Sequence, residues 1–170
     1  MNYEAIFRKA WMEVMDSWIR DEIHLVTEYD LQGYMFSTCF ELIRQEKLNE
    51  MAYVYLNFSK YYVEGRLRTI DLVLGENYQI IAEFKFNKQP NLKVVRTDLE
   101  KLRKMFSTMI VKEDCKTEYG FFGTLFQYRG TNTIETYRES LASLLDRLGM
   151  SAEWKEMNRE WASLLISVCS

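Results

Sequence analysis

The chain has 170 residues, 48% hydrophobic and 28% charged, with a formal net charge of −3: enough length and apolar content for one domain with a proper core. No apolar run is long enough to span a bilayer, and the opening Met-Asn-Tyr-Glu does not read as a signal peptide. Three widely spaced cysteines suit neither a disulfide framework nor a zinc knuckle, so a reducing cytoplasm is the expected setting. A lone histidine, His24, argues against His-ligated zinc and against Ser-His or Cys-His hydrolases.

In chain order, Phe7, Trp11, Val14 and Trp18 recur at helical spacing and predict an amphipathic helix over roughly the first two dozen residues. A second helix is predicted over Asp30 to Lys47, with Leu31, Met35, Cys39 and Leu42 on one stripe. Met51 to Tyr62 reads as a strand rich in tyrosine and valine. Leu67 to Leu74 and Gln79 to Phe86 read as two more strands, separated by the turn cluster Gly75-Glu76-Asn77. Val95 to Ile110 returns to helix, and Tyr119 to Tyr128 is an aromatic strand. Ile134 to Leu148 is a helix stopped by Gly149, and Ser151 is read as the cap of a last helix through Trp154, Met157, Trp161 and Leu164. The order predicts an α/β protein whose mixed sheet is covered on both faces, with no P-loop and no GxGxxG motif.

The chemistry concentrates between Gly65 and Lys88. Asp71 lies on one apolar strand, and Glu83, Phe84 and Lys85 lie on the next, where charges are costly unless paired or bound to a cation. With a three-residue loop at Gly75 to Asn77, Leu74 faces Tyr78. Asp71, Ile81, Glu83 and Lys85 then share one face, with Glu83 the diagonal neighbour of Asp71, roughly 7–8 Å away. A loop of two or four residues would put the carboxylates on opposite faces. Two carboxylates so placed suit a hard cation such as Mg²⁺, and Lys85 can sit against a water or a phosphate oxygen there. A plain buried acid–lysine pair is the competing structural explanation.

Ile70-Asp71, then Glu83-Phe84-Lys85, preceded by Arg66 and Arg68, resembles the PD-(D/E)xK nuclease superfamily, with isoleucine where the motif's proline stands. The similarity covers roughly residues 28–126. It implies a three-layer α/β/α restriction-endonuclease-like core with a mixed central sheet, here with extra N- and C-terminal helices. It further implies a nuclease that hydrolyses phosphodiester bonds in DNA with Mg²⁺, for which Mn²⁺ can substitute. Asp71 and Glu83 would hold the metal, the Phe84 carbonyl would complete its coordination, and Lys85 would orient the attacking water. Glu28, with Gln32 four residues on, is the third acid the resemblance suggests, although ordinary helix-start chemistry explains it equally well. The resemblance leaves a homodimer open, since many such nucleases need two copies to cut both strands. The alternatives are a catalytically inactive nucleic-acid-binding or scaffolding domain of the same fold, and a small-molecule phosphate-binding protein.

Charge is distributed unevenly. Lys60 to Lys104 holds ten Lys or Arg against six Asp or Glu, leaving −7 for the remainder. Arg66, Arg68, Lys88, Lys93 and Arg96 are the expected backbone contacts to DNA, and Lys101, three residues after Asp98, is an accessory candidate. A solvated basic face accounts for the same residues without function. Tyr53, Tyr55, Tyr61 and Tyr62 are numerous enough for some to stack on unpaired bases.

Overall fold

The computed structural model describes residues 1–46, 52–59, 62–63, 66–87, 92–110, 115–127, 134–157 and 160–169. Helix α1, Tyr3–Ile19, is capped by Asn2, whose side chain accepts from the Ala5 N–H at 3.0 Å. It is shorter than the sequence suggests, because Asp21 (φ 57°) leaves the helical region. Helix α2, Glu28–Glu46, begins on a reciprocal capping box. The Asp30 N–H donates to Thr27 Oγ1 at 3.2 Å and the Thr27 N–H to Asp30 Oδ2 at 2.8 Å. Its stripe of Leu31, Met35, Cys39 and Leu42 is buried as the spacing predicts.

Strand β1, Val54–Phe58, is followed by the short pair β2, Tyr62–Val63, and β3, Arg66–Leu67, and then by β4, Ile70–Leu74, and β5, Ile80–Asn87. Helix α3, Leu92–Met109, crosses to β6, Tyr119–Gln127, which runs parallel to β5. Parallel neighbours need such a crossover, and it brings one helix over the centre of the sheet. Helix α4, Ile134–Leu148, ends at Gly149, whose φ of +63° makes it the left-handed stop expected there.

The C-terminal helix predicted from Ser151 onward is replaced by an antiparallel hairpin of β7, Ser151–Glu156, and β8, Trp161–Cys169. Strand β8 lies inside the sheet between β6 and β7 and is buried along most of its length. A strand covered on both faces reads as an unbroken apolar run, and spacing alone does not separate that from a buried helix. Trp154 and Trp161 therefore pack in different cores. Trp154 meets Phe126 edge-on, whereas Trp161 meets Trp18 edge-on with ring centroids 5.2 Å apart.

The six-stranded mixed sheet has the order β1-β4-β5-β6-β8-β7, and among the described residues four helices accompany it. One core joins α3 and α4 to a sheet face through Leu99, Leu102, Phe106, Leu141, Ile81 and Phe122. The other joins α1 and α2 to the opposite face through Phe7, Trp11, Met35, Leu72, Phe84 and Phe121. Gly123 makes the second close: a Cβ there would stand 2.6 Å from the Trp11 ring. No helix among the described residues is long and apolar enough to cross a membrane.

Candidate functional site

The turn between β4 and β5 is longer than the sequence suggests, and it leaves the decisive parity intact. Leu74 pairs with Ile80, not with Tyr78, so five residues intervene; Gly75 (φ 90°) and Tyr78 (φ 57°) bend the chain, and the Tyr78 N–H closes on the Gly75 carbonyl at 3.1 Å. Shifting the register by two keeps every side chain on its face. Leu72 and Ala82 form the last rung of the ladder, and one step on in the same register Asp71 falls opposite Glu83 and not diagonal to it. On the other flank of β4, Leu56 pairs with Leu72 and Phe58 with Ile70, which brings Asp71 level with Asn57. Asn57 has φ 51°, a left-handed kink inside β1 that sequence reading missed. Asparagine tolerates that region better than most residues, which is a weak signal in a sequence.

At this level the Asp71 side chain takes over a backbone partner. Its Oδ2 accepts the Phe84 N–H at 2.7 Å. The N–H and C=O of one strand residue leave on the same edge, so the Phe84 carbonyl is turned toward β4 as well. Glu83 is only 3% exposed. Its Oε2 accepts from Lys101 Nζ on α3 at 2.8 Å, while Oε1 is buried with no hydrogen-bond partner among the described residues. Lys85 reaches the start of α2, where its Nζ donates to Glu28 Oε1 and Oε2 at 3.1 and 3.0 Å. The Asp98 Oδ2, one turn before Lys101, is a second buried oxygen without a partner among the described residues, and the Gln32 Oε1, one turn after Glu28, is a third.

Burial dominates the electrostatics. It raises the Asp71 carboxyl above the usual carboxylate range, against the pull of the Phe84 N–H, and the Glu28 charge adds to the rise. Burial and then the Asp71 charge raise Glu83 to about 7, with Lys101 and Lys85 opposing. Burial raises Asp98 too, despite Lys85 and Lys101. Burial pulls the Lys85 ammonium down, but the Glu28 carboxylate more than offsets it and leaves Lys85 above its ordinary value. Four acids and two lysines thus act on one another across β4, β5, α2 and α3.

Among the described residues, no three His, Cys, Asp or Glu side chains converge closely enough to hold a metal ion. The donor set nevertheless suits a hard cation. It is all oxygen, it includes a buried carboxylate oxygen that lacks a partner, and its carboxylates raise one another's proton affinity. Asp71, Glu83 and the Phe84 carbonyl are the groups that would hold such an ion. Glu28 stands beside them with its carboxylate engaged by Lys85.

The expected DNA contacts divide among β3, the approach to β4 and α3. Arg66 is exposed on β3, whose partner β2 touches α3, and Arg68 is half-buried just before β4. Lys93 and Arg96 are exposed on the first turns of α3, and Lys88 lies outside the described residues. Lys101 points inward, to Glu83. Of the tyrosines expected to stack on bases, Tyr55 packs against Phe58 and Tyr78, and Tyr53 is half-buried. Tyr61 and the Tyr62 side chain lie outside the described residues. The exposed aromatic beside the cluster is Tyr29, next to Glu28 and 76% exposed. Compared with known proteins, the chain matches no family model, no curated protein and no solved structure.

Proposed function

We propose that the protein is a metal-dependent nuclease of the PD-(D/E)xK type that hydrolyses phosphodiester bonds in DNA. The observation that carries this reading is the placing of Asp71 and Glu83 one step beyond the Leu72–Ala82 rung of adjacent strands, with the Phe84 N–H donating to Asp71, the Asp71 charge acting on Glu83, and Lys85 two residues further along. The run α2, β1, β4, β5, α3, β6 and the mixed sheet support it, since they follow the order that the resemblance implies.

Asp71 and Glu83 would hold Mg²⁺ or Mn²⁺, with the Phe84 carbonyl turned to the same edge. Such an ion would supply positive charge to the phosphate and acidify a water. The Phe84 N–H fixes the rotamer of Asp71. Glu28 holds the Lys85 ammonium over the pair, where it orients the attacking water and offsets the negative charge that builds on the phosphate. Arg66, Arg68, Lys93 and Arg96 grip the DNA backbone without reading its sequence.

The test separates cutting from binding. Asp71→Ala should lower Mg²⁺-dependent cleavage of plasmid DNA by at least about a hundredfold, while affinity for uncut DNA changes little. Equal cleavage by the variant would remove Asp71 from the chemistry.

One observation favours a second reading. Both ammonium groups of the cluster are already paired, Lys85 with Glu28 and Lys101 with Glu83. On that reading the charges pin α2 and α3 to the sheet, and the domain binds nucleic acid without turnover. It predicts DNA binding with neither cleavage nor Mn²⁺ uptake.

A further inference from the structure

We propose that Lys101 is the site's internal countercation: its ammonium neutralises Glu83 until a divalent ion arrives, and the ion binds by displacing it. The inference rests on the metal-site reading above and adds how loading is controlled. Glu83 is the most deeply buried charged group of the cluster, and Lys101, on a different element, is the only cation that an ion pair joins to it among the described residues. A buried carboxylate and its lysine are costly to separate unless another cation replaces the lysine. Lys101 reaches only Oε2 and leaves Oε1 without a partner, so the lysine serves half of a carboxylate that a divalent ion could engage fully. The lysine also has somewhere to go. Asp98 lies three residues earlier on α3, on the same helical face, and its Oδ2 has no partner among the described residues. Asp98 is half-buried where Glu83 is buried, although its Oδ2 is itself closed to solvent, so the exchange moves the ammonium from the more buried acid to the less buried one.

Lys85 plays a different part. Its ammonium is bidentate to Glu28 and makes no ion pair with Glu83 among the described residues, and it stays in place when the ion binds. The two lysines of the cluster therefore separate into one that yields to the ion and one that remains beside it.

Mn²⁺ titrations followed by electron paramagnetic resonance test the exchange in wild type, Lys101→Met and Lys101→Arg. Lys101→Met should bind Mn²⁺ about tenfold tighter or more, the effect of removing one competing positive charge from a part-buried site. Lys101→Arg, which keeps the charge, should stay near wild type. Removing Lys101 also unpairs a buried acid and lowers the stability of the ion-free fold, so a second measurement uses wild type alone. Acetylation of Lys101, followed by mass spectrometry, should speed up several-fold when Mg²⁺ is added, while Lys85 changes less. Mn²⁺ affinity in Lys101→Met equal to or weaker than wild type overturns the exchange and leaves the metal site standing. So does unchanged Lys101 labelling in Mg²⁺-saturated wild type. Absence of Mn²⁺ binding in both wild type and Lys101→Met overturns the exchange and the metal-site reading together.

Discussion

Glu83 lies inside the sheet with one oxygen on Lys101 and the other without a partner among the described residues, and this position dictates how it responds to pH. Burial and the Asp71 charge lift its carboxyl from an ordinary 4.5 to about 7. Between those values the folded chain keeps a proton that the unfolded chain has lost. The stabilisation from this group is therefore complete below about pH 4.5 and is lost as the pH rises through about 7, by on the order of 3 kcal/mol. Glu83→Gln keeps the shape and removes the charge, so it should match wild type near pH 5 and be the more stable protein near pH 8. Urea unfolding at the two pH values checks this, and parallel profiles would contradict it. The sequence exposed the parity of Asp71, Glu83 and Lys85, because strand alternation survives any even change in loop length. It did not expose the level of Asp71, since that depends on two positive-φ residues in the turn, one of them a tyrosine. Nor did it link Lys101 to Glu83, since the distance between α3 and β5 is set by packing.

At the scale of elements, the start of α2 positions the site through its cap. The Thr27–Asp30 box fixes where the helix begins and hence where Glu28 meets Lys85. Thr27→Ala should cost about 1 kcal/mol in a thermal or urea melt. The hairpin of β7 and β8 was the element least legible in the sequence. Trp154, Met157, Trp161 and Leu164 fit a helical stripe, while Ala162 to Val168 is a strand buried on both faces, apolar but for Ser163 and Ser167. Ile166 is fully buried and level with Phe122 of β6 and Ala152 of β7, so Ile166→Ala should cost about 2–5 kcal/mol. A cost below about 1 kcal/mol would mean that β8 is not central to the core.

Across the whole molecule, a net charge of −3 coexists with a net-positive stretch, Lys60 to Lys104, that contains Asp71 and Glu83. Arg66 and Arg68 precede β4, and Lys93 and Arg96 lie on the first turns of α3. If these side chains meet phosphates, Arg66→Ala and Arg96→Ala should each lower by about one the slope of log affinity for DNA against log salt concentration. The weakening should be similar for unrelated DNA sequences. Titrations at several salt concentrations measure both. The spacing of Trp154 and Trp161 predicts one stripe on a C-terminal helix. With Trp154 and Trp161 in separate cores, that stripe does not exist.

The most direct measurement is cleavage of plasmid and single-stranded DNA by wild type and by Lys85→Ala, with Mg²⁺ or Mn²⁺ and with an EDTA control. The account predicts cutting by wild type that needs the metal, stops in EDTA and is lost in Lys85→Ala, with the variant still folded. Cutting that survives both EDTA and the loss of Lys85, or no cutting by wild type that also takes up no Mn²⁺, would contradict it.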